Sequence, residues 1–222
     1  MKKLLLIMAI LMIPVMSRAG VIYGFEAITA NSTANVLAGE SQLTVDVSAY
    51  STNQVLFTFL NGGSAASSIT DVYFDDGTLL GIANIVNATG VNFSQGATPP
   101  ELPGGNDINF HTTAGFLADS DSPHLQQNGV NPGESLGIVF DLKTGKDYES
   151  TLAALNWGLA HPGDSTDGLR IGIHVQGFSN GGSESFVNGP PPSAPVPEPG
   201  TMMLLGSGLV GLAGWGRKKL RK

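Results

Sequence analysis

Between Leu43 and Phe178 apolar residues recur at every second position in short runs. Only a half-buried strand satisfies that rhythm, because successive side chains of a strand point to opposite faces. In the clearest run Leu169, Ile171, Ile173 and Val175 alternate with Arg170, Gly172, His174 and Gln176, and Val55, Phe57 and Phe59 repeat the pattern. The same reading predicts strands over 21–27, 43–47, 54–60, 69–74, 79–86, 90–94, 136–142, 169–178 and 184–187. Clusters such as Asn61-Gly62-Gly63, Asp75-Asp76-Gly77, Asn131-Pro132-Gly133 and Asn180-Gly181-Gly182 divide them. Short strands punctuated by turn residues predict an all-β domain, a single jelly-roll-like β-sandwich. One short helix is expected over 147–155, where Tyr148, Leu152 and Leu155 share a face and Asp147 and Glu149 favour the N-terminus. The aperiodic, proline-bearing stretch 95–127 reads as long surface loops.

Charge is distributed unevenly. Eight of the eleven Lys and Arg lie at the two ends, so from Gly20 to Val187 three cations (Lys143, Lys146 and Arg170) face seventeen carboxylates, a balance of −14. Such a surface repels nucleic acid, which needs clustered cations. It suits solubility outside the cell and attracts divalent cations. There is no cysteine, which excludes disulfides and thiolate chemistry.

The N-terminus has the three parts of a secretory signal peptide, 1–19: Lys2-Lys3, the apolar run Leu4 to Val15, and Ser17-Arg18-Ala19 with small residues before Gly20. Cleavage is expected between Ala19 and Gly20. The acidic domain would then occupy 20–187, followed by a proline-rich linker over 188–196. Beyond it, an apolar segment from Thr201 to Trp215 is stopped by the basic tail Arg217 to Lys222. An apolar run closed by cations predicts a membrane helix whose C-terminus stays cytoplasmic. The seventeen residues Gly200 to Gly216 would span about 25 Å as a helix, a marginal crossing that suits a transient anchor.

The segment PEPGTMMLLGSGLVGLAGWGRKK, Pro197 to Lys219, resembles the PEP-CTERM sorting segment of exported bacterial proteins. The resemblance covers about a tenth of the chain. It implies that Pro197, Glu198 and Pro199 form the triplet read by exosortase, a membrane-embedded cysteine protease, and that 197–222 is a removable sorting segment. It also implies a polysaccharide-rich setting of the biofilm kind. The processing partners are then signal peptidase and exosortase, with the inner membrane as a transient station before the cell surface or medium.

Several motifs invite chemical readings. Gly133-Glu134-Ser135-Leu136-Gly137 fits G-x-S-x-G, but a nucleophile elbow needs a strand before the serine and a helix after it, and here a turn precedes and a strand follows. Gly206-Ser207-Gly208-Leu209-Val210-Gly211 fits G-x-G-x-x-G without the strand, crossover and distant acid of a dinucleotide site. His111, His124, His161 and His174 have no metal spacing. Among the acidic turns none is an EF-hand loop, and Asp119 with Asp121, on the long loop, is the pair best placed for calcium. No other cofactor is expected.

Two functional classes compete. The first is a non-catalytic surface or extracellular-matrix protein that binds polysaccharide after release. The second is a secreted glycan hydrolase, which needs two carboxylates about 5–9.5 Å apart in a cleft beside aromatic sugar platforms; the domain offers only Trp157. A third variant, an uncleaved membrane-tethered binding protein, differs from the first in keeping the C-terminal helix.

Overall fold

The computed structural model describes residues 20–76, 78–163 and 166–190. The expected signal peptide, the linker beyond Pro190 and the sorting segment 197–222 lie outside them. Two units divide the chain after Pro190.

Ten strands form the domain: β1 (Val21–Ala27), β2 (Leu43–Ser51), β3 (Gln54–Asn61), β4 (Ser68–Asp76), β5 (Leu79–Asn87), β6 (Phe93–Gln95), β7 (Leu117–Ser120), β8 (Ser135–Leu142), β9 (Leu169–Gln176) and β10 (Glu184–Asn188). They make one continuous sheet in the order β5-β8-β3-β2-β1-β10-β9-β4-β7-β6, and every pairing is antiparallel. A sandwich expectation places the strands in two sheets. Here β1 joins the halves, pairing through Val21–Gly24 with β2 and through Phe25–Ala27 with β10. The halves face each other across an aromatic core. Phe57 on β3 and Phe140 on β8 meet Phe74 of β4 edge to face, with ring centroids 5.2 and 4.6 Å apart. At the far end the edge strands come close. Asn87 at the end of β5 accepts from the Phe93 amide at 2.9 Å and donates to the Phe93 carbonyl at 3.2 Å. One side-chain amide thus replaces a ladder pair, and the sheet is nearly a barrel.

The strands expected from alternation are present, with ends shifted by at most four residues. The expected 95–127 loop is corrected in part: β7 lies within it and pairs with both β4 and β6. Four residues with one deeply apolar position leave no period to detect. The domain also extends past Val187, since Gly189 N–H donates to the Gly24 carbonyl at 2.9 Å and Gly24 N–H to that of Pro190 at 3.4 Å.

The single-helix expectation is corrected as well. The expected helix is α3 (Tyr148–Ala160), while α1 (Thr33–Gln42) and the short α2 (Leu125–Asn128) precede it. In α3 Asp147 accepts from the Ser150 amide at 2.8 Å and Ser150 Oγ accepts from the Asp147 amide at 3.3 Å, a capping box. Its inner face is Tyr148, Thr151, Ala154, Leu155 and Gly158. It docks through Tyr148 Oη, which donates to the Val47 carbonyl at 3.0 Å. The inner face of α1 is Asn35, Gly39 and Gln42, with no apolar stripe.

Candidate functional site

β4 is buried along eight of its nine residues. Val72 and Phe74 face the aromatic core, while Asp71, Tyr73 and Asp75 point the other way, under the chain from Ala97 to Phe110. Leu102 and Phe110 from that chain pack on Tyr73. A Cβ at Gly172, beside them on β9, would come within 2.6 Å of Leu102. Arg170 ties the cover down. Its guanidinium pairs with Asp75 at 2.5 Å, donates to the carbonyls of Ile108 and Asn109, and lies over the Phe110 ring at 5.2 Å. Pairing and hydrogen bonding offset the cost of burying both charges.

Next to this anchor a polar row crosses three strands. The ladders set Asp71 on β4 between His174 on β9 and Asp119 on β7. Asp71 Oδ2 lies 3.1 Å from His174 Nδ1 and accepts from Thr70 Oγ1 at 2.8 Å. Asp71 and Asp119 hydrogen-bond side chain to side chain. Burial first, then the Asp71 charge and that hydrogen bond, push the Asp119 carboxyl up to about 6, against the Thr98 amide, which lowers it. Tyr73 Oη donates to the Pro99 carbonyl at 3.0 Å, and burial together with the nearby Asp71 carboxylate raises its hydroxyl strongly.

Asp119 and Asp121 lie near enough for Asp121 to raise Asp119. Asp121 also accepts from Asn92 Nδ2 at 2.8 Å. Among the described residues no three His, Asp or Glu side chains gather to hold a metal ion. The histidines stay apart: His174 joins Asp71, His161 stacks on Trp157, His124 borders a cleft with Gln126 and Gln176, and His111 donates its backbone N–H to Asp75. Ser135 opens β8 and pairs with Leu60, so a strand follows it where a nucleophile elbow needs a helix. Asp76 accepts from the Thr78 and Leu79 amides at 2.5 and 2.8 Å, a turn role for that acidic cluster.

A second concavity, about 370 Å³, lies against α3 and is lined by Thr78, Lys146, Ser150, Ala153, Trp157 and Asp167. Trp157 is 42 % exposed there. The His161 ring stacks on the indole at 3.9 Å between centroids and 18° between planes.

The polar row escapes sequence reasoning because its members are far apart along the chain, Asp71 and His174 by 103 residues. A signal was present all the same: Asp71 stands mid-strand between Ile69 and the run Val72-Tyr73-Phe74, and a carboxylate in that position needs a partner.

No helix among the described residues is long and apolar enough to cross a membrane; Thr201 to Trp215, and the triplet Pro197, Glu198 and Pro199, lie outside them. No curated protein and no solved structure matches the chain. Residues 195–218 match the family model of the PEP-CTERM protein-sorting motif. The chain is therefore an exported protein bearing the PEP-CTERM signal, a substrate of exosortase.

Proposed function

We propose that this chain delivers a non-catalytic β domain to the cell surface or extracellular matrix, where the domain binds polysaccharide. The observation that carries the reading is the separation of address from cargo. The sorting motif occupies 195–218, whereas the last hydrogen bonds of the domain are made at Gly189 and Pro190. Removal of the tail would cost the domain none of its described core. At the other end β1 begins at Val21, one residue after the expected signal cleavage between Ala19 and Gly20.

The absence of catalysis is supported by the state of the acids. Among the carboxyls raised by burial, Asp119 sits directly against Asp71, which lies under the loop that carries Leu102, and Asp76 is held by the Thr78 and Leu79 amides. A hydrolase needs its two carboxylates apart and open to substrate. Calcium at Asp119 and Asp121 belongs to the same proposal. A cation there would relieve the repulsion among Asp71, Asp119 and Asp121 and complete its shell with water.

Replacing Pro197, Glu198 and Pro199 together by alanine tests the address. The expected outcome is a folded protein retained in the membrane with its C-terminal segment intact, read by mass spectrometry of membrane and medium fractions. Unchanged release and an unchanged mature C-terminus would overturn it.

A further inference from the structure

Of the three cations in the acidic domain, Arg170 is consumed by its buried pair with Asp75. The other two, Lys143 and Lys146, stand exposed on the turn between β8 and α3. That turn borders the Trp157 cleft, and Lys146 lines it. The domain thus places an exposed indole and an exposed ammonium on one concavity. Over the rest of its surface carboxylates predominate.

The indole is set in place. His161 N–H donates to the Trp157 carbonyl at 2.9 Å, closing α3, and the same residue lays its imidazole on one indole face. With that ring in place Trp157 is still 42 % exposed and lines the cleft. An aromatic surface of this kind binds the C–H face of a sugar, while a few polar groups around it fix orientation. Ser150 and Asp167 supply those groups, Asp167 as an acceptor for hydroxyl protons. The volume, about 370 Å³, lies in the range of small-ligand sites.

We propose that the cleft between Lys146 and Trp157 is a subsite for a carboxylate-bearing sugar unit of an extracellular polysaccharide. The ring lies on Trp157, its carboxylate meets Lys146, and its hydroxyls bond to Asp167 and Ser150. The inference rests on the polysaccharide reading above and narrows it. The surrounding acids repel an anionic chain, which restricts its docking to this place and orientation.

The test is calorimetric titration of the full chain in detergent with a short oligogalacturonate, and with a neutral galacto-oligosaccharide of the same length. The uronate is expected to bind about fivefold tighter, the scale of one exposed charge pair. Lys146→Gln should erase that preference and leave neutral binding unchanged. Trp157→Ala should weaken both ligands by about tenfold, the scale of losing a buried aromatic contact. Lys146 is exposed, so Lys146→Gln should melt with the wild type, whereas Trp157→Ala gives up the His161 stack and should melt slightly lower with an unchanged circular dichroism spectrum. A preference that survives Lys146→Gln, a preference for the neutral sugar, or undiminished binding by Trp157→Ala would overturn the subsite while leaving polysaccharide binding in place. Failure of the wild type to bind either oligosaccharide would overturn the polysaccharide reading and the subsite with it.

Discussion

Asp71 and Asp119 occupy directly opposed positions on neighbouring strands, where two ionised carboxylates would repel. Burial first, and then the Asp71 charge, push the Asp119 carboxyl up to about 6. The sign of the linkage follows. The folded chain binds the Asp119 proton more tightly than the unfolded chain, so its stabilising contribution is complete below about pH 4 and is lost as pH rises through about 6. Asp119→Asn keeps a donor for Asp71 and an acceptor for the Thr98 amide without the charge. It should raise the melting temperature at pH 7.5 by roughly 2–4 °C, a shift scaled down because solvent reaches Asp119. At pH 4 the variant and wild type should melt together. A variant that melts lower than wild type at pH 7.5 would show that the carboxylate is needed there.

At the scale of elements, α1 is a helix whose position is set from outside. Glu184, fully buried on β10, accepts from the amides of Asn31 and Ser32 at 3.1 and 2.7 Å and from Thr29 Oγ1 at 2.6 Å. A carboxylate there satisfies amides at the helix entrance and complements its dipole, in place of the Ser32 side chain, which makes no cap bond. At the other end Gln42 Nε2 donates to the Ala65 carbonyl at 2.9 Å and to Ser67 at 2.6 Å, while its Oε1 accepts from the Ala65 amide at 3.1 Å. Between them Gly39 lies on Phe186, whose ring would be 2.2 Å from an added Cβ. Helix propensity alone favours alanine at such a position by about 1 kcal/mol. Contact with a fully buried ring opposes it, and overpacking costs about 1–3 kcal/mol. Gly39→Ala should therefore lower the urea midpoint, with a net loss of about 1 kcal/mol. A stabilised variant would mean that α1 lifts freely from the sheet.

Over the whole domain the carboxylates outnumber the cations by fourteen, so native compactness works against self-repulsion. Melting should rise with ionic strength as screening grows. If calcium occupies Asp119 and Asp121, it should raise melting further than sodium chloride of equal ionic strength, by linkage to the folded state. Asp121→Asn should remove that excess. Equal melting in the two salts would exclude the calcium proposal while leaving the fold unaffected.

Much of this architecture is legible in the chain because its strands carry their own signal. Leu169 to Gln176 alternates cleanly since one face meets the core and the other carries Arg170 and His174, and α3 announces itself through Asp147 and Tyr148. The helix α1 carries no such signal, because the face it buries is Asn35, Gly39 and Gln42. Strand β7 is too short to show a period and exists by pairing with β4 and β6. The candidate sites divide the same way. Trp157 stands out as the domain's tryptophan, but its cleft with Lys146 and Asp167 comes from the docking of α3 beside two turns.

Address and fold class are written locally in the chain: a sorting motif is a contiguous string, and period-two patterning is a property of neighbouring residues. The joining of the two halves through β1, the apposition of Asp71 and Asp119, and the hold of Glu184 on the start of α1 come from the tertiary fold. Each of these depends on side chains or strands far apart in the chain, and pairing across such distances is set by the packing of the whole core.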